Sequence, residues 1–573
     1  MKLILDITSR SLFLNILMEL PLQVFQQIIK IKISPQITFL DFILYINSLL
    51  PELITSPYAI SYIDLHNISH PLFFSSQFEA FLETLPNVIK LTIIHDKLNL
   101  PNVEINDLHN TWYDVIIIGS GLAGLCTACR LIKSNKHLRI GIVEKERVLG
   151  GNSIKASSGI SLINTPTQRL LGIKDSTDLF VNDTLSSGKG KSDPLLVRTL
   201  AEGSEKAWNF LTEECGIDLS KVTQCGGHSV PRTHRPKGNK PVGFIFVNTL
   251  LKKLSKYPIS FFKNCEAKAI IENKGIVGLV LEKEGRVIRC RCSAIVIATG
   301  GYANDHTKDS LLEKYAPALK NFPTTSGDFA QGEGIKIASK IGAVLIDMNE
   351  IQIHPTGFID PKKRDSKAKI LAPELLRGVG GILVNEEGKR FCNELGKRDY
   401  ITKEILKNCK NRISILILGS EAPISFGTTF FFYVKRGLIK KFDTLKELCE
   451  EYKLPIENLI SELKDYNVSK TKGQDRYGKV TFPSVIDPYK EICYYGAEVT
   501  PSLHYTMGGL KVNVDGAVYG QSGLIRGLYA VGESTGGVHG KNRLVGNSLM
   551  ECVVFGQRVG KVIAKNLKQG TKL

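Results

Sequence analysis

The stretch YDVIIIGSGLAG, residues 113–124, decides the fold. An apolar strand runs into Gly119, Gly121 and Gly124, and a helix of small residues begins at Leu122. The three glycines meet three different needs. The first permits a tight turn, the second lets the backbone approach a pyrophosphate, and the third allows close helix–strand packing. The helix N-terminus then faces the negative charge. Working outward, a second strand, RIGIVEKE at 139–146, presents Glu144 twenty residues beyond Gly124. A carboxylate there accepts hydrogen bonds from free ribose hydroxyls.

Two more glycine signals lie far downstream. AIVIATGG, 294–301, brings Thr299, Gly300 and Gly301 to the end of another buried strand, and GLYAVGE, 527–533, brings Gly532 and Glu533 to the end of a third. A nicotinamide enzyme needs only the first loop, whereas an extended FAD touches the chain at several distant places. Three signals in this order imply FAD on a doubly wound α/β unit.

Composition fits that reading and excludes others. The net charge of +18 comes from 74 Lys and Arg against 56 Asp and Glu, spread along the chain without a basic block interleaved with aromatics. That argues against a nucleic-acid track. Twelve Cys lack the dense paired spacing of a secreted disulfide scaffold. Cys126 and Cys129 fall inside the first helix, where packing is the expected role, and no C-x-x-C-H is present to attach a c-type haem. The N-terminal segment MKLILDITSRSLFLNIL is interrupted by Asp6 and Arg10 and does not read as a signal peptide. Apolar stretches stay shorter than a membrane span of about 18 residues. The expectation is a protein that is not integral to a membrane.

Residues 1–110 are poor in glycine and carry no recognisable chemistry. Lys2–Ile7 with Leu12–Ile16 predicts a hairpin, Leu22–Lys32 an amphipathic helix and Leu91–Ile94 a closing strand, an order compatible with a small β-grasp-like module. Farther on, Thr444–Tyr452 and Ile456–Leu463 predict two short helices divided at Pro455.

Between the glycine signals lie short runs dense in His, Arg and Glu: IQIHPTG at 351–357, ELLRGVGG at 374–381, GKRDYIT at 396–402, HYTMGG at 504–509 and GVHGKNRLVGNS at 537–548. With GGHSVPRTHR at 226–235, these runs resemble the soluble, haem-free fumarate reductases, and more widely the flavoprotein subunits of the fumarate reductase and succinate dehydrogenase superfamily. The resemblance extends from Trp112 to the C-terminus. It implies an FAD-binding domain over 112–353 and 504–573, an inserted α+β capping domain over 354–503, and a small N-terminal appendage. It also implies reduction of fumarate to succinate, with Arg398 as the acid that protonates carbon and Glu374 and Arg377 as its proton relay. His354, Thr356, His504 and Arg543 are then the groups that hold the substrate carboxylates. His539, His228 and His234 are left outside the catalytic set.

Motifs and resemblance together set the expected cofactor contacts: Gly119, Gly121, Leu122, Ala123, Gly124, Glu144, Lys145, Gly151, Asn152, Ser153, Ser158, Gly159, Thr299, Gly300, Gly301, Asp328, Gly532, Glu533, Ser548 and Leu549. Two departures matter. Ser153, in GGNSIKASSG, stands where membrane-bound relatives carry the histidine that links to FAD, which implies a non-covalent flavin. Pro373 precedes Glu374 where some relatives have a hydroxyl residue. Electrons are expected from a free reduced flavin or a separate reductase, and the protein is expected to be a cytoplasmic monomer, with the mitochondrion as the other compartment. The competing readings are a related enzyme such as L-aspartate oxidase or a urocanate- or acrylate-type reductase, and a catalytically silent FAD-binding partner protein.

Overall fold

The computed structural model describes residues 111–569 apart from 239 and 428, together with the backbone of six strands within the first 95 residues. The chain divides into two units, Met1–Asn99 and Leu100–Leu573.

In the first unit the six strands form one sheet, antiparallel at every pairing, in the order Ile28–Ile33, Ser11–Leu17, Lys2–Thr8, Val88–His95, Tyr58–Ile63, Ser69–Pro71. The expected hairpin is present, with Thr8 paired to Ser11 across its turn. The helix expected over Leu22–Lys32 is not: Ile28–Ile33 is a strand, and residues 22–27 lie outside the described residues. The run IIKIKI alternates apolar and charged residues with a period of two, and that period overrides the helical spacing read across the longer window. The closing strand Val88–His95 runs antiparallel to Lys2–Thr8, unlike the parallel central pair of a β-grasp sheet.

The second unit is built on a sheet whose parallel centre follows the order Ser260–Phe262, Ile140–Val143, Trp112–Ile118, Arg286–Ile297, Gly523–Ala530. Ile116, Ile142 and Ile295 have essentially no exposure, as continuous apolar runs covered on both faces require. Helix Leu122–Ser134 follows the first strand and packs along the C-terminal helix Asn547–Lys568. Close approach depends on glycine: a Cβ on Gly556 would lie 2.8 Å from the Ala123 carbonyl oxygen. Cys126 and Cys129 are buried free thiols in this layer, the packing residues their position predicts.

A second sheet, antiparallel throughout, follows the order Ile370–Leu371, Ile351–Phe358, Tyr494–Thr506, Ser414–Leu418, Ile382–Val384. Helices including Arg398–Asn408, Leu445–Tyr452 and Ile456–Lys472 accompany it. This is the inserted α+β cap, and Ile351–Phe358 and Tyr494–Thr506 are the adjacent strands that enter and leave it. Pro455 caps the helix Ile456–Lys472, which continues nine residues past the predicted end at Leu463. Lys464, Asp465 and Asn467 masked the pattern, while buried Tyr466 and Ser469 carry the inner face onward. Among the described residues, no helix is long and apolar enough to cross a membrane.

Candidate active site

The glycine turns and the cap together enclose a cavity of about 1070 Å³. Its lining contains eighteen of the twenty expected cofactor contacts; Gly124 and Gly532 are the exceptions. Both stand behind the wall. A Cβ on Gly124 would lie 2.3 Å from the Gly119 carbonyl oxygen, and one on Gly532 would lie 3.0 Å from Cβ of Ala123. At both positions a missing Cβ allows close packing of the chain behind the wall.

Gly119 shows why the first loop needs its glycine. Its φ is +105°, and a Cβ would sit 2.3 Å from the carbonyl oxygen of Ala298. Helix Leu122–Ser134 has no side-chain cap and no acidic residue in its first turn. Helix Asn547–Lys568 also starts without a side-chain cap, and Ser548 and Leu549 from its first turn line the cavity. Two helix N-termini without an acidic residue in the first turn meet at one cavity, which suits an anionic cofactor. Glu144 accepts from the Ser120 backbone N–H at 3.1 Å and from its hydroxyl at 2.6 Å. Lys145, also in the lining, is paired to Glu333. The residues fit FAD.

Four of the expected substrate groups meet at the same cavity: His354, His504, Arg398 and Arg543. Two irregularities in one ladder place the histidines. Gln352 pairs with Tyr505 and Ile353 with Leu503, so His504 is the extra residue of a bulge. A second register shift follows between His354 and Gly357, where Pro355 has no N–H to give the ladder. Bulges re-aim side chains, and the two imidazoles lie 5.2 Å apart, centroid to centroid. Burial, then the charge of Arg398, pushes both pKa values well below the ordinary histidine range. Thr325 Oγ1 sits 2.7 Å from His504 Nδ1, and the Thr356 N–H donates to His354 Nδ1 at 3.2 Å.

Arg398 heads the helix Arg398–Asn408. Its Nη1 donates to Gln352 Oε1 at 2.8 Å, and its Nε lies 3.4 Å from Glu374 Oε2. Burial pushes the Glu374 carboxyl up, but the Arg398 and Arg377 guanidiniums and the Gly226 N–H outweigh it and hold it below the usual range. Burial, then repulsion from Arg398, lowers Arg543 to about 10, and its guanidinium stacks 4.5 Å from the Tyr505 ring centre. Burial pushes Glu533 up to about 7. The site therefore presents two guanidiniums and two imidazoles whose charged form burial disfavours, a set suited to a small dianion.

Three expected residues lie outside the lining: Thr356, Glu374 and Arg377. The Thr356 hydroxyl donates to the Ala372 carbonyl at 2.8 Å, and its N–H to His354 Nδ1. Arg377 is buried; its Nη1 is bonded to the Glu394 carbonyl, while Nε and Nη2 have no hydrogen-bond partner. The Glu374–Arg398 contact of the expected relay is formed, and no hydrogen bond joins Arg377 to Glu374 in this arrangement. Pro373 is the N-cap of the short helix carrying Glu374 and offers no side-chain bond. His539 bonds Glu551 at 2.9 Å, His228 the Val545 carbonyl at 2.8 Å and His234 the Thr165 hydroxyl at 2.8 Å, all buried and outside the cavity lining.

Sequence reasoning missed Gln352. Besides receiving Arg398, its Nε2 donates to Asn542 Oδ1 at 3.0 Å and to the Arg543 carbonyl at 2.9 Å, so one amide links both site arginines. Its signal is present in the chain: it lies two residues before His354 in a strand. Thr325 carries no comparable sequence signal.

Fold and cavity define an FAD-dependent flavoprotein with an inserted α+β cap. A family of FAD-binding domains matches residues 114–549. Fumarate reductase 1 of Saccharomyces cerevisiae is 42% identical over 474 residues, covering 79% of this chain and 99% of that protein. The fumarate reductase of Schizosaccharomyces pombe is 37% identical, covering 78% and 88%. The open conformation of a flavocytochrome c3 fumarate reductase superposes with a TM-score of 0.67 at 31% identity, covering 79% of this chain and 78% of that one. The chain belongs to the FAD-binding domain family, within its fumarate reductase superfamily, and its cofactor is FAD.

Proposed function

We propose that the protein reduces fumarate to succinate. The observation that carries this is the convergence of His354, His504, Arg398 and Arg543 on the flavin cavity, with Glu374 directly behind Arg398. FAD, when bound and reduced, supplies the hydride. His354, His504 and Arg543 hold the two carboxylates and draw electron density from the alkene, which makes its carbon electrophilic. Hydride addition leaves a carbon far more basic than guanidine, so Arg398 can protonate it although guanidinium ordinarily stays charged. Arg377, moving onto Glu374, passes it a proton that Glu374 hands on to Arg398, and Arg377 regains its proton from solvent. Gln352 keeps Arg398 aimed and tied to the strand carrying His354.

The cofactor domain comprises 112–353 and 504–573, and the cap 354–503. Closure of the cap excludes water from the reacting carbon. Ser153 supports a non-covalent flavin: its hydroxyl accepts from the Leu122 N–H at 3.1 Å, and serine offers no imidazole for a link. The electron donor is a free reduced flavin or a separate reductase, and the protein acts as a monomer in the cytoplasm.

The test is anaerobic oxidation of chemically reduced enzyme with and without fumarate, with succinate measured as product. Fast oxidation that needs fumarate supports the assignment. If urocanate, acrylate or another unsaturated acid is reduced and fumarate is not, the substrate assignment fails and the fold-based class remains.

A further inference from the structure

Behind the relay, deep in the cap, lie four charged side chains with no exposure at all: Arg390, Glu394, Asp475 and Lys479. Arg390 binds both Glu394 oxygens, at 2.8 and 3.0 Å, and reaches Asp475 at 2.8 Å. Lys479 Nζ donates to Glu394 Oε2 at 2.9 Å, and its backbone N–H to Asp475 Oδ1 at 2.9 Å. Tyr466 faces both cations, each 4.8 Å from its ring centre. Two cations and two anions make the cluster neutral. Replacing such a set by apolar residues is commonly neutral or stabilising, so stability alone does not account for it.

Its contact with the reaction is Arg377. The Glu394 carboxylate would be the natural counter-ion of that buried guanidinium, but Arg390 and Lys479 occupy it, and Arg377 receives only the Glu394 carbonyl. Without a carboxylate bonded to its guanidinium, Arg377 acts through its charge on Glu374. We propose that the Arg390–Glu394–Lys479–Asp475 cluster is a positioning device for proton delivery: it fixes the carbonyl that anchors Arg377 and neutralises most of the Glu394 charge beside it. This rests on the reading of Arg398, Glu374 and Arg377 as a proton path.

Each charge in the cluster carries a definite sign of effect. Removing Lys479 frees negative charge on Glu394, weakens the field of Arg377 at Glu374, and raises the affinity of Glu374 for a proton. Removing the Asp475 charge does the reverse. The other titratable groups facing Glu374 are Arg398, Lys397, Arg543, Cys225 and His228, and neither substitution alters them. The measurement is the pH profile of kcat for fumarate, with its solvent deuterium isotope effect, in FAD-loaded enzyme. In Lys479→Met the limb that reports Glu374 should move to higher pH, by up to about one unit at the effective dielectric of protein interiors. In Asp475→Asn it should move to lower pH. The charge-balanced Glu394→Gln/Lys479→Met should return the limb to the wild-type position, and Lys479→Arg should hardly move it.

A cluster that only supports the fold gives lower melting temperatures with no shift of opposite sign and no change in the isotope effect, and that result overturns the inference. If Lys479→Met does not retain FAD, Asp475→Asn and Lys479→Arg carry the same test. A wild type that reduces no fumarate overturns this inference together with the proposed function. An active wild type whose limb is indifferent to both charge changes overturns this inference alone.

Discussion

Replacing Arg398 by alanine removes the only group among the described residues that both lines the flavin cavity and contacts Glu374. General acid catalysis contributes about 10²- to 10⁴-fold, which corresponds to about 3–5 kcal/mol of barrier at 1.36 kcal/mol per decade. Breaking a buried ion pair commonly costs stability of that same order. Here the cost should be smaller, because Arg377 and the Gly226 N–H stay beside Glu374 and still offset part of its burial once Arg398 is gone. Arg398→Ala should therefore fold and bind FAD while losing at least about a hundredfold in turnover. Arg398→Lys keeps a charge beside Glu374, but one ammonium cannot reproduce the fork that spans Gln352 and Glu374, so activity should fall by at least about tenfold. The assay is stopped-flow oxidation of the reduced enzyme by fumarate under anaerobic conditions, with flavin content measured on the same samples. Arg398→Ala with full FAD occupancy and a rate within about tenfold of wild type would refute the role of Arg398.

Other outcomes follow from particular contacts. Precipitation with acid should release all flavin into the supernatant, because Ser153 offers no site for a covalent link; flavin retained on the pellet contradicts this. In FAD-free protein, Gly119→Ala should lower the melting temperature more than Gly300→Ala. The first drives a Cβ to 2.3 Å from the Ala298 carbonyl, whereas the second meets nothing within 4 Å and incurs only left-handed strain of about 1–2 kcal/mol. The raised carboxyl of Glu533 predicts a pH-dependent stability of the FAD-free protein. A folded pKa of about 7 against an ordinary value of 4.5 means that stability is full below 4.5 and is lost as pH rises through 7, by up to about 3 kcal/mol. Chemical denaturation across that window should show the slope, and Glu533→Gln should flatten it.

How much of this is legible in the chain depends on the range of the interactions. The first glycine turn, the acid at the end of the second strand and the two later strand-end glycines are local patterns, and each lies where a short run of residues puts it. That is why eighteen of the twenty contacts expected from motifs and resemblance together fall on one cavity wall. Local patterns mislead where two periods compete, as in IIKIKI, and where polar residues hide a helix face, as beyond Leu463. They also put Gly124 and Gly532 on the ligand, although a missing Cβ serves helix packing as readily as ligand approach.

The sequence by itself determined the α/β class, the FAD turns and the run of His, Arg and Glu residues that marks the superfamily, because backbone geometry and side-chain chemistry at those turns are set within a few residues. Tertiary structure alone decided which of those side chains share a cavity. A bulge in one strand turns His504 toward His354, one amide of Gln352 ties Arg398 to Arg543, and the Glu394 carboxylate is turned from Arg377 toward Arg390 and Lys479. Those outcomes depend on charges and donors brought together across long stretches of chain, where the balance of burial against pairing exists only once the fold has formed.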